Sequence, residues 1–270
     1  MKNEKDRTFD LDDNRRSLLV RLWKYQSERF PVQQYLPVVA AFAFSASGYS
    51  MICGGRSGTI AWPVLLGGFV TSYCLFFLLR LFDEFKDAED DARYRPYRAV
   101  PRGLVTFGEI RGLILFVTAL VVAVNAFVMP RLLPWLALPF AYILLMWREF
   151  FVPAWLRRHP IVYMTTHMVV MPLIDFYTSG LDWAVGGFAM PRGMFLFLVL
   201  TFTNGCVIEI GRKIRVPEDE EEGVETYSAL WGRFRAASVW LAVLTLTLSL
   251  ALWCAGLQGF AGRAWPSAHR

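Results

Sequence analysis

The chain has 270 residues, 55% hydrophobic and 16% aromatic, but only 19% are charged, against about a quarter in an ordinary soluble domain. Its charges are also segregated: residues 30–55, 57–79, 112–130 and 236–262 hold no Lys, Arg, Asp or Glu. A membrane span needs roughly 20 apolar residues, so this distribution excludes a soluble enzyme, a disordered chain and a nucleic-acid binder despite the net charge of +5.

In chain order, residues 1–35 form a polar leader. Its second half, Leu18-Leu19-Val20 with Leu22-Trp23 and interleaved Arg21, Lys24 and Arg29, predicts an amphipathic interfacial anchor. The first apolar run is too long for a signal-peptide core. Spans are expected near 36–54, 60–79, 112–129, 132–147, 160–178, 192–209 and 236–257, which makes residues 36–257 an all-α polytopic bundle of about seven spans, followed by a short tail, 258–270. The shorter uncharged runs, 132–147, 159–174 and 193–208, qualify if flanking Arg side chains snorkel. Arg131 and Pro134 predict a tight turn between the third and fourth spans. The cysteines (53, 74, 206 and 254) have neither metal nor disulfide spacing and read as apolar packing residues.

Cations give the orientation. With these spans, segments 1–35, 80–111, 148–158 and 209–235 share one side and hold 23 of the 28 Lys and Arg residues. Cytoplasmic loops carry the Lys/Arg excess, so the N-terminus is expected in the cytoplasm and the chain in the inner (plasma) membrane. Within the spans, Asn125, His167 and Asp175 are the conspicuous polar groups. Asp175, followed closely by Ser179-Gly180, is expected to cap the outer end of the fifth span, and His167 to be a satisfied interhelical hydrogen-bonder.

Two charged loops on the cation-rich side carry the candidate chemistry. In the first, Asp83, Asp87 and Asp91 lie at i, i+4 and i+8, with Glu84 beside them. Like charges so stacked repel unless a cation intervenes, and hard oxygen ligands next to a membrane suit Mg²⁺ together with substrate phosphates. Lys86, Arg95, Arg98 and Arg102 supply matching positive charge, whereas Glu89 and Asp90 fall off the stripe and read as solvated. The second loop brings Glu209, Arg212, Lys213, Arg215, then the acidic run Glu218–Glu222. Most of that run reads as solvated. Two such loops facing each other over an apolar bundle predict a site for an anionic head with a greasy tail.

Here the chain resembles the UbiA superfamily of intramembrane prenyltransferases. That family carries Asn-Asp-x-x-Asp-x-x-x-Asp and then an Arg-Pro…Pro-Arg/Ser-Gly stretch. This chain has Asp83-Glu84-x-x-Asp87-x-x-x-Asp91, Arg95-Pro96 and Pro101-Arg102-Gly103, so Asp-Glu replaces the opening Asn-Asp. The family's second motif ends in a Gly-x-x-Ser/Thr…Gly tail, and Gly223 to Gly232 resembles it. Its two Asp positions fall on Arg215 and Asp219, so one carboxylate is missing or displaced to Glu209 or Glu218. The family has nine spans, so this is either a shortened member or part of a longer chain.

The resemblance implies an integral-membrane enzyme that ionises an isoprenyl diphosphate with Mg²⁺ and transfers the prenyl group to an aromatic or lipid acceptor. It implies Asp83, Asp87 and Asp91 as catalytic carboxylates, and Asp83, Glu84, Asp87, Asp91, Glu209 and Asp219 as metal ligands. Lys86, Arg95, Arg98, Arg102, Arg212, Lys213 and Arg215 would bind diphosphate. Intramolecular terpene cyclisation is the alternative within the superfamily, and a non-catalytic lipid-binding or transport protein the alternative outside it.

Overall fold

A computed structural model describes residues 17–257. The first half of the leader and the tail lie outside the described residues. Twelve α-helices are present among the described residues: α1 (Leu18–Arg29), α2 (Val32–Cys53), α3 (Trp62–Lys86), α4 (Ala88–Tyr94), α5 (Phe107–Val128), α6 (Leu133–Trp147), α7 (Pro153–Arg158), α8 (Pro160–Met168), α9 (Val170–Gly186), α10 (Met194–Arg212), α11 (Tyr227–Trp231) and α12 (Arg233–Leu257). No strand is found among them. Local chemistry sets several ends. Proline stands in the first turn of α3, α6, α7 and α8, where its missing N–H costs nothing. Thr106 and Glu109 close a reciprocal capping box at the start of α5. Gly187, at φ +75°, terminates α9.

Six helical stretches are long and apolar enough to cross a membrane: α2, α3, α5, the segment Pro130–Trp147 that contains α6, α10 and α12. The expected fifth span does not appear as one helix. It divides at Val169 into α8 and α9, of 9 and 17 residues. Pro172 explains the break, because it has no N–H for the Met168 carbonyl and its ring collides with that oxygen. The bonding resumes with the Leu173 N–H donating to the Val169 carbonyl at 3.3 Å.

α3 and α9 form the centre of the bundle. α3 packs on α2, α5, α6 and α9, and α9 also meets α2, α6 and α10. Their approach is close enough that a Cβ on Gly68 of α3 would stand 2.3 Å from Leu181 of α9. Leu75, Leu78, Leu81, Val121, Ile174 and Tyr177 fill the shared core. Asn125 ties three helices together: its Nδ2 donates to Thr71 Oγ1 (3.0 Å) on α3, and Tyr177 on α9 donates its hydroxyl to Asn125 Oδ1 (2.7 Å). α12 lies to one side against α10 and α11, with Trp240 Nε1 donating to the Val207 carbonyl at 3.0 Å.

The ends of the bundle differ, and they sort as the cation distribution predicts. At one end Arg56 Nε donates to Asp182 Oδ1 (2.8 Å), Ser50 donates to Asp182 Oδ2 (2.6 Å), and Arg131 donates to the Val185 carbonyl (2.9 Å). These contacts clamp the last turns of α9. The other end gathers α1, α4, α7, α11 and their loops.

Candidate functional site at the cation-rich end

The acidic stripe does not lie on one continuous helix. α3 stops at Lys86, Asp87 leaves helical geometry (φ −96°, ψ 12°), and α4 begins at Ala88. Four stacked carboxylates are a poor helix face, and the break lets each find cations. Asp83 stays on α3, with Lys86 Nζ at 3.1 Å and Arg80 Nη1 at 3.5 Å. Asp91 is buried on α4, where Arg98 Nη1 donates to it (2.8 and 3.0 Å), Arg95 Nη2 forms an ion pair at 2.9 Å and Arg29 Nη2 stands 3.8 Å away. Glu89 and Asp90 are exposed, as expected.

Glu84 turns away from the stripe, toward α1. Arg29 Nε donates to Glu84 Oε1 at 2.6 Å and the Tyr25 hydroxyl donates to it at 3.3 Å, all three side chains being buried. Burial, and next the Glu84 carboxylate, push the Tyr25 phenol well above its ordinary value, so it remains a donor. Arg102 is likewise committed to α1: its guanidinium forks onto Glu28 at 2.8 Å twice and donates to the Tyr97 carbonyl at 2.8 Å. Arg21 reaches the Leu104 carbonyl and Glu109. α1 is therefore more than the interfacial anchor the sequence predicts. Its outer face, Leu19 and Trp23, is exposed, while its inner face supplies a wall of the site.

The second loop meets the first. Tyr97 donates to Glu221 Oε2 at 2.9 Å, and Gly223 lies so close under Tyr94 that a Cβ there would stand 2.4 Å from the ring. Gly223 also has φ +72°, where L side chains are strained. Gly223→Ala is expected to part the two loops and destabilise the protein by about 1–3 kcal/mol, read as a fall in unfolding temperature with Gly232→Ala, which faces open space, as the milder reference. The Thr226 and Ser228 hydroxyls donate to Glu220 at 2.7 and 2.6 Å, and these bonds, Ser228's first, hold its carboxyl below the usual range. Glu209 is buried and bonded by Arg212 Nε (2.5 Å) and Lys213 Nζ (3.1 Å). Asp219 is exposed on a short turn, Pro217–Asp219, and its carbonyl accepts from Arg215 Nη1 at 3.1 Å. Arg215 also stands 3.7 Å from Glu221.

Behind Asp83, Lys86 Nζ donates to the Tyr163 hydroxyl at 3.0 Å, and Tyr163 stacks on His167 at 3.9 Å between ring centroids. His167 is not the interhelical bonder expected: its Nδ1 bonds the Tyr163 carbonyl of its own helix at 2.8 Å, and its Nε2 is buried without a partner. Asp175 does not cap a helix end either. It is buried within α9 beside Thr201, whose hydroxyl is already donated to the Leu198 carbonyl, and neither carboxyl oxygen has a partner.

Sequence reasoning missed Arg29, Tyr25 and Tyr163. Of the two missed aromatics, Tyr163 had a signal, since it and His167 are four apart on one helix face. It also missed Glu149, Phe150 and Phe151, three consecutive non-glycine residues at φ 46°, 52° and 61°. Left-handed geometry costs roughly 1–2 kcal/mol per such residue, and it places Phe150 edge-on to His167 at 5.9 Å.

The donor set as arranged does not fit a divalent metal ion. Among the described residues no group of three or more His, Cys, Asp or Glu side chains converges closely enough to hold one. Asp83, Glu84, Asp91 and Glu209 are instead each paired with Arg or Lys. The arrangement favours an anion. Arg80 Nε, Arg95 Nε, Arg98 Nε and Arg29 Nη2 are buried donors with no hydrogen-bond acceptor, and burial together with Arg29 pushes Arg98 down from its ordinary value. Asp87 is the carboxylate least engaged of the stripe, with Lys86 at 3.9 Å and its side chain 35% exposed. Dehydration by the surrounding loops, with the Asp83 and Asp91 charges, raises it to about 6 against the opposing pull of Lys86. That value lies above the roughly 3.9 of an unfolded aspartate. Its contribution to stability is therefore fully present below about pH 4 and is lost as pH rises through 6. Unfolding temperatures measured in EDTA from pH 4 to 8 are expected to fall across that window, and Asp87→Asn to flatten the decline.

No protein-family model, curated protein or solved structure matches the chain significantly.

Proposed function

We propose that the chain is an integral-membrane enzyme that binds an isoprenyl diphosphate at its cation-rich, cytoplasmic end and transfers the prenyl group to an aromatic or lipid acceptor. One observation carries the reading: buried guanidinium donors without acceptors, on Arg29, Arg95 and Arg98, surround Asp91 where two loops meet above an apolar helical bundle. Guanidinium groups bind diphosphate oxygens in pairs and need no metal to do so. Placed there, they stabilise the charge that grows on the leaving group as the allylic C–O bond breaks. Lys86 and Tyr163, joined at 3.0 Å, stand beside the carboxylates as a further donor pair. The prenyl chain would run down between helices, where aromatic faces attract an allylic cation. The motif resemblance of Asp83 to Gly103 supports the same substrate class.

The test is diphosphate release by the purified full-length protein from geranyl, farnesyl and geranylgeranyl diphosphates. Each is assayed with Mg²⁺ or EDTA, with and without acceptor, and products are identified by gas chromatography. Release that depends on acceptor supports transfer. Release without acceptor to a cyclised hydrocarbon replaces transfer by cyclisation, and no release under any condition overturns the enzymatic reading. Activity that persists in EDTA would assign the leaving group to the guanidinium groups alone.

A further inference from the structure

The geometry points to His167 as a catalytic base: its Nε2 takes the proton that an acceptor loses when the prenyl group is attached, an assignment that rests on the transferase reading above. The tautomer is fixed by a neighbour. The Tyr163 carbonyl oxygen can only accept, so the His167 Nδ1 that lies 2.8 Å from it carries the hydrogen. In the neutral ring Nε2 then holds a bare lone pair, and it is buried with no donor near enough to use it. A buried acceptor left empty is unfavourable unless something else pairs with it, and a substrate X–H group is the missing donor.

The surroundings hold this ring still and place it beside the head-group end. Tyr163 stacks on one face at an interplanar angle of 14°, and Phe150, presented by the left-handed turn at Glu149–Phe151, meets the ring at 80°. Strained backbone persists where the surrounding structure holds it in place, and here it positions an aromatic edge on the imidazole. Lys86 links the two regions, with its Nζ 3.1 Å from Asp83 and 3.0 Å from the hydroxyl of the same Tyr163. The charges acting on the ring are Lys86 and Asp83 from α3 and Glu209 from α10.

The step balances. The allylic C–O bond breaks and its electron pair leaves on the diphosphate. The nucleophilic carbon or oxygen of the acceptor bonds to the prenyl carbon, and the acceptor proton moves to Nε2. The resulting imidazolium is opposed by Lys86 and favoured by Asp83 and Glu209, so it is short-lived and returns its proton to water after product leaves.

The experiment compares wild type, His167→Ala and His167→Gln in lipid nanodiscs with farnesyl diphosphate. 4-Hydroxybenzoate serves as a phenolic acceptor and a membrane lipid extract as the other, and diphosphate and prenylated product are quantified separately. Wild type is expected to release diphosphate and form prenylated acceptor. Both variants are expected to lose acceptor product by about 100-fold or more, with diphosphate release falling far less, farnesol rising, and added imidazole restoring product to His167→Ala. Equal product yield in a folded variant, judged by circular dichroism, overturns the assignment. Loss of diphosphate release in step with product, without imidazole rescue, also overturns it by showing a structural role. Wild type that releases diphosphate yet prenylates neither acceptor overturns the base role alone, whereas wild type that releases none overturns the parent reading and this one with it.

Discussion

Arg29→Ala is expected to destabilise the protein by about 3–5 kcal/mol, because it leaves the Glu84 carboxylate charged, buried and without its 2.6 Å partner. Both side chains are nearly closed to solvent, at 7% and 1% exposure, so water does little to screen the loss. Glu84 would keep only the longer Tyr25 contact of 3.3 Å. The measurement is reversible denaturation in mixed micelles. The double variant Arg29→Met with Glu84→Gln, which removes both charges and keeps comparable bulk, should recover much of the stability. A change in Arg29→Ala below about 1 kcal/mol, the median range for exposed pairs, would show that α1 does not dock as described.

Asp91→Asn gives the second large effect, and it acts on stability and binding in opposite directions. Its carboxylate faces Arg95 at 2.9 Å, Arg98 at 2.8 Å and Arg29 at 3.8 Å. Neutralising it leaves three guanidinium groups repelling one another, and a stability loss of about 3–5 kcal/mol is expected. The same change removes the anion that competes with a diphosphate for those groups. One unit charge at 4 Å is worth about 4 kcal/mol at an effective dielectric constant near 20, so inorganic diphosphate should bind at least about tenfold more tightly, which calorimetry with the purified variant would read. A tenfold weaker affinity in the presence of Mg²⁺ would instead mark Asp91 as a metal ligand and reverse the anion-site assignment.

The architecture was legible because spans need only composition. Uncharged runs at 57–79 and 236–262 became α3 and α12, and the Lys and Arg excess marked which ends of the helices lie together. What escaped was non-local or stereochemical. Arg29 reads in sequence as one more cation on an amphipathic stretch, and nothing nearby reveals that its partner is 55 residues away. The spacing of Asp83, Asp87 and Asp91 predicts one helical face, but repulsion combined with available cations favours a break at Asp87. Within the fifth span, Pro172 was visible, yet hydropathy averages over a break of one residue. The left-handed turn at Glu149–Phe151 has no glycine to announce it. In the second loop, the glycine pattern was readable while its reason, the Tyr94 ring, was not.

The ties of α1 to residues made much later bear on the order of biosynthesis. Arg29 must wait for Glu84, 55 residues on, and Arg21 for Glu109, 88 residues on. At roughly 5–20 residues per second, Glu84 is made about 3–11 s after Arg29 and Glu109 about 4–18 s after Arg21. During that interval α1 has its greasy side, Leu19 and Trp23, and two cations without counter-ions. A helix with one greasy side and unpaired cations has the composition of an interfacial segment. Docking of α1 therefore has to follow synthesis of α3 and of the first turn of α5, which makes closure of this ionic wall a later step than formation of the helix itself.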